Sequence, residues 1–138
     1  MNFAPLLTAG PAVHIHLAAT ILALALGIAM LVRRKGTGAH RLLGWIWVGL
    51  MLTAAVSSFW ITGMRGGYSA IHALSLLVLV LVPLAILAIR RGKVDTHRRA
   101  MLGLFFGALV IPGLFTLLPG RVLGRLMFDG AALLTLAQ

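Results

Sequence analysis

Four apolar runs, each about one bilayer long and set apart by short basic clusters, decide what this chain can fold into. They extend from about Pro11 to Val32, Leu42 to Ile61, Tyr68 to Ile89 and Ala100 to Leu118. A helix rising ~1.5 Å per residue needs roughly 20 residues to cross a ~30 Å hydrocarbon core, and every run is close to that length. What lies between the runs cannot clothe a water-soluble domain. Of 138 residues, 61% are hydrophobic and only 10% are charged, against roughly 25% charged in soluble proteins. The sequence therefore predicts an all-α fold, a single integral membrane four-helix bundle over residues 1–138. The first run does not read as a secretory signal, because its basic residues follow the apolar stretch and nothing before Pro11 is charged.

The net charge of +10 raises nucleic acid as a partner, but the cations sit in clusters between apolar runs, as membrane proteins place them. Arg33, Arg34, Lys35 and Arg41 separate the first two runs, and Arg90, Arg91, Lys93, Arg98 and Arg99 separate the last two. The middle connection carries only Arg65, and the N-terminal stretch carries no Lys or Arg. The positive-inside rule then places the first and third loops in the cytoplasm and both termini on the periplasmic side of a bacterial inner membrane. Trp45 and Trp47 near the inner face, with Trp60 and Tyr68 near the outer, suit interfacial anchoring. Beyond Leu118, Arg121 and Arg125 stand four apart among Val122, Leu123, Leu126 and Met127, so residues 119–138 read as a short amphipathic tail on the outer surface.

The chain also repeats itself. Ile15-His16 opens the first run and Ile71-His72 the third; Arg33-Arg34 and Arg90-Arg91 close them, and His40-Arg41 and His97-Arg98 follow at equal distances. This pattern reads as a duplicated helical hairpin whose pseudo-two-fold axis runs along the membrane normal.

The repeat gives the five histidines their meaning. His16 and His72 become equivalent at one membrane face, and His40 and His97 at the other. Duplicated helices of a four-helix bundle face one another diagonally, and two imidazoles facing across a core can hold a haem iron. The expected function is a b-type haem electron carrier, with His16 and His72 as the outer axial ligands and His40 and His97 as the inner pair, binding one or two haems b. His14 is an additional metal-ligand candidate, although two residues from His16 it projects to a different side. Arg41 and Arg98, with Arg99, would meet haem propionates or lipid phosphates. Gly44, Gly49, Gly103 and Gly107 would let a flat macrocycle approach the backbone, and Gly27 and Pro83 could bend the first and third helices around it. The two sites bracket a complete span, which sets them far apart.

Other readings stand beside this one. Taken singly, each histidine is a headgroup contact or a helix cap. One pair could hold copper or zinc, or the outer histidines could sense protons. The main alternative is a haem-free accessory subunit or solute-handling bundle. Transport is disfavoured because the acids, Asp95 and Asp129, lie in a loop and the tail, with none at the bilayer midplane. Thr20, Thr53, Ser57, Ser58, Ser75 and Thr116 read as interhelical hydrogen-bond donors. No nucleophile–base set or phosphate loop is present, so any enzymatic role would be as an oxidoreductase component. With no cysteine, disulfides and thiolate metal sites are excluded. Lipid, a quinone or membrane redox protein, and a second copy or larger complex remain as partners.

Several short motifs carry a resemblance. Pro11 with His14 and His16, Lys35-Gly36-Thr37 before His40-Arg41 and Gly44, Met51, Ser58-Phe59, His72, Asp95-Thr96-His97-Arg98 and Pro119-Gly120-Arg121 resemble a bacterial family of small predicted membrane proteins, domain of unknown function 2306. That resemblance implies a membrane protein and no activity. More distantly, the layout is similar to the four-helix core of two-haem cytochromes b, which implies paired histidine ligation.

Overall fold

The computed structural model describes residues 9–61 and 70–118. Over these residues the chain forms helices α1 (Pro11–Val32), α2 (Gly38–Ser58), α3 (Ala70–Arg90) and α4 (Val94–Thr116). Within α4, seven residues from Leu104 to Val110 are wound as a π-helix. All four helices are long and apolar enough to cross a membrane, and the polarity is inverted accordingly: Ile21, Leu22, Ile28, Leu76, Leu84 and Leu114 stand exposed on the outside. The protein is a multi-pass membrane protein. Tyr68, Arg65 and the predicted amphipathic tail lie outside the described residues.

The helix ends differ from the apolar runs, and the reason is capping. The second helix begins at Gly38, four residues before its apolar run, because the Thr37 hydroxyl accepts the His40 backbone N–H at 3.1 Å. The fourth begins at Val94, six residues early, with Asp95 in its first turn where the helix dipole favours a carboxylate. Hydropathy marks the part of a helix bathed in hydrocarbon, whereas caps set where the helix starts. As a result His40 and His97 are not loop residues; each sits in a helical first turn. At the far ends, α2 stops at Ser58 and α4 at Thr116, short of the predicted Ile61 and Leu118.

The link from α3 to α4 is a tight helix stop. The Gly92 N–H donates to the Ile89 carbonyl and the Lys93 N–H to the Ala88 carbonyl, at 3.0 and 2.9 Å, with Gly92 at φ +73°. This double closure requires a left-handed residue, which glycine adopts without steric cost. In the α1–α2 link, Gly36 holds φ +80°, but Arg33 is already extended there, so that turn is built differently.

Each helix packs on its sequence neighbour, and the π-helical segment of α4 closes the ring against α1. α1 and α3 therefore occupy one diagonal and α2 and α4 the other. The α1–α2 contact is the most extensive. The buried residues of α1 are Ala19, Ala23 and Gly27, all small and four apart, which lets two backbones approach closely. Trp47 exploits that approach. Predicted as an interfacial anchor, it is instead 4% exposed, and its indole N–H donates to the Ala23 carbonyl at 3.0 Å. Trp45, two residues away, takes the interfacial position and is 55% exposed.

Gly27 serves closeness, not bending. A Cβ there would lie 2.4 Å from the buried ring of Phe105 on α4. Phe105 joins Met51, Val78, Val82 and Leu104 in the core. A Gly27→Val substitution should cost about 1–3 kcal/mol by overpacking, seen as a lowered Tm in detergent. Adding Phe105→Leu should recover part of that loss. Gly92→Ala, where nothing crowds the added methyl, should cost about 1–2 kcal/mol from the left-handed backbone alone.

Candidate functional site

Heptad-like spacing places four of the five histidines at the head of the inward stripe of their helices. On α2, His40 leads to Trp47, Met51, Ala55 and Ser58 at steps of seven, four, four and three, and the last four are buried. On α1, His16 leads to Ala19, Ala23 and Gly27. His72 and Ser75 lead to Val78, Val82 and Ala85 on α3, and His97 leads to Leu104 on α4. His14 falls off the stripe and is exposed.

At the end away from the cations, His16 is half-buried and its Nδ1 lies 2.8 Å from the Ala54 carbonyl of α2. A carbonyl only accepts, so Nδ1 carries the proton and Nε2 is left with its lone pair. The Ser57 hydroxyl lies 3.4 Å from the same Nδ1. His72, on the diagonal helix, is 6% exposed and its ring centre stands 5.9 Å from that of Phe59. One turn along α3, the Ser75 and Ser58 hydroxyls meet at 2.6 Å, tying α3 to α2 inside the bundle.

At the basic end, His97 repeats this arrangement. Its Nδ1 lies 3.0 Å from the Ala85 carbonyl of the neighbouring α3, which again leaves Nε2 as the free lone pair. His40, across the diagonal, is close enough for His97 to act on it electrostatically. Its Nδ1 is shut away from the surface and has no hydrogen-bond partner. An imidazole nitrogen buried in that state costs about 1–3 kcal/mol unless something engages it. Arg41, Arg98 and Arg99 are exposed, at the rim of the bundle.

The hydrogen bonds also measure how far apart the two histidine layers lie. His16 is level with Ala54, fourteen residues along α2 from His40, or about 21 Å. His97 is level with Ala85, thirteen residues along α3 from His72, or about 20 Å. The layers are thus closer than a complete span of ~30 Å, because His16 stands five residues inside the start of α1. Between them the core is filled by Trp47, Met51, Val82, Leu104 and Phe105.

Several side chains expected at the site are elsewhere. Gly49, Gly103 and Gly107 lie on the outer surface with no described atom within 4 Å of an added Cβ, and Gly44 would meet only the Met30 side chain. The threonine hydroxyls of Thr20, Thr53 and Thr116 bond back to carbonyls of their own helices, while Ser58 and Ser75 do cross between helices. The partner carbonyls of Ala54 and Ala85 went unforeseen, since a backbone group leaves no mark in sequence. Among the described residues, no three or more histidines and acids converge as a metal cluster.

Two grooves open sideways from the bundle. One, about 530 Å³, lies between α1 and α2 towards Ser57 and Trp60; the other, about 430 Å³, lies between α2 and α3 from Leu52 down to Trp45 and Arg90.

The family model described as predicted membrane protein (DUF2306) matches residues 13–134, which takes in all five histidines and all of the four helices but the first two residues of α1. Comparison with curated proteins and with solved structures gives no match.

The serine pair yields a direct check on the interior. Ser58→Ala should lower stability by about 1 kcal/mol, read as Tm in detergent. The Ser58→Ala, Ser75→Ala double variant should lose less than the sum of the two single losses, because both remove one shared bond.

Proposed function

The chain belongs to the predicted membrane protein family DUF2306, and on that footing we propose that it is a b-type haem-binding electron carrier with a two-histidine site near each face of the membrane. The observation that carries this reading is the shared state of His16 and His97. Each heads an inward stripe and donates Nδ1–H to a carbonyl of the neighbouring helix. That bond fixes the tautomer and aims the ring, which is what axial ligation by Nε2 requires. The diagonal partners are His72 and His40; the Nδ1 of His40 has no such carbonyl among the described residues.

Iron porphyrin, when bound, supplies one-electron exchange tuned by its axial ligands. The chain's own part is to hold four imidazoles in two layers, keep water from them with an apolar core, and set the layers about 20 Å apart. Arg41 and Arg98, exposed at the basic rim, are placed to meet propionates or lipid phosphate. By the positive-inside rule the basic end is cytoplasmic and both termini are periplasmic, in a bacterial inner membrane. Electrons would then pass between a donor on one side, such as a quinol or redox protein, and an acceptor on the other.

The test is an absorbance spectrum of the detergent-purified protein, oxidised and then dithionite-reduced, with haem stoichiometry by pyridine haemochrome. Two haems per chain are expected. His97→Ala and His72→Ala should each leave about one, and His14→Ala should leave both. Colourless protein from cells supplied with excess haem would overturn the proposal in favour of a haem-free accessory subunit.

A further inference from the structure

We propose that the groove between α2 and α3 is a binding site for one anionic phospholipid, taken from the leaflet at the basic end. Val48 and Leu52 of α2 face Val82 and Leu87 of α3 across a trough of about 430 Å³ that opens towards the bilayer. Trp45 and Arg90 close its basic end. From Val82 to Arg90 the trough follows α3 for eight residues, about 12 Å. One leaflet contributes roughly half of the ~30 Å hydrocarbon core, so the trough accommodates most of one acyl chain with its phosphate at the level of Arg90.

Charge decides the headgroup. Arg33, Arg34, Lys35, Arg41, Arg91 and Lys93 stand exposed at the same end as Arg90. Asp95, on α4, is the only carboxylate side chain among the described residues. A guanidinium binds a phosphate through paired N–H donors, and an interfacial indole lies flat at headgroup level. Charge also disfavours a second copy as the occupant. Docked in the same orientation, it would set two strongly basic ends side by side, within a Debye length of each other. The groove between α1 and α2 supplies an internal comparison: it is similar in size, lined by Pro11, Ile15, Val56, Ser57 and Trp60 among others, and has no charged side chain. It should hold apolar chains without preference for headgroup.

The experiment is native mass spectrometry of the full chain in mixed micelles, titrated with phosphatidylglycerol or phosphatidylcholine. One phosphatidylglycerol per chain should be retained at least about fivefold more tightly than phosphatidylcholine, since one cation at a bilayer surface contributes that much. Arg90→Gln should abolish the preference. Leu87→Trp, an exposed position that fills the trough, should weaken retention of both lipids. Arg34→Gln, an exposed cation outside the trough, should reduce the preference far less than Arg90→Gln. Equal retention of the two lipids would overturn the site, as would Arg34→Gln matching Arg90→Gln, or Leu87→Trp leaving binding intact.

Discussion

The hydrogen bond from the Trp47 indole to the Ala23 carbonyl shows what the bundle depends on, which is how closely α1 can lie against α2. In hydrocarbon there is no water to drive helices together, so association rests on packing and on polar groups that find partners inside. Ala19, Ala23 and Gly27 clear a lane along α1. Into that lane α2 presses a bulky, polar-tipped side chain, and α4 presses the ring of Phe105. The same approach brings the Ala54 carbonyl within 2.8 Å of His16. A wider α1–α2 spacing would cost the indole and the imidazole their partners together, each loss worth about 1–3 kcal/mol when the group stays buried.

The duplicated hairpin explains why the polar groups of the interior gather at its two ends. A hairpin repeated in the same orientation sends equivalent residues to equal depth on diagonal helices. His16 and His72 lie towards one end of the bundle and His40 and His97 towards the other, with apolar side chains between. The equivalence is not complete. His97 has a carbonyl acceptor on its neighbouring helix, while the Nδ1 of His40 is buried without one. The two copies have thus diverged in how each ring is held, although both retain a left-handed glycine in the following turn.

The two ends also face different surroundings. One end carries a rim of exposed arginines and lysines, and the far end carries hydroxyls and imidazoles with Trp60 exposed. Electrostatics at the first end acts on headgroups within about a Debye length of the surface. At the second, the polar groups are turned inward and paired across helices, as the Ser58–Ser75 contact illustrates.

Much of this was legible without coordinates. Four runs of bilayer length can only become membrane-crossing helices, because a backbone in hydrocarbon must satisfy its own hydrogen bonds. The histidines were legible as symmetric pairs, since duplication preserves spacing. What sequence reading mistook were matters of direction. Trp47 and Trp45 are two residues apart on one helix, yet one is core and the other interface. Gly103 and Gly107 face outward, while Leu104 and Phe105 between them turn to the core. The Ala19–Ala23–Gly27 lane was present as a four-residue period of small side chains, a signal that passed unread beside the histidines. By itself, then, the sequence determined the number of helices and the span each histidine belongs to, which follow from length, hydropathy and spacing along one chain. Only the tertiary structure decided which carbonyl each imidazole meets, which glycine must stay glycine and where the grooves open, because those depend on how far apart two helices stand and how each is rotated, and neither is written in any single helix.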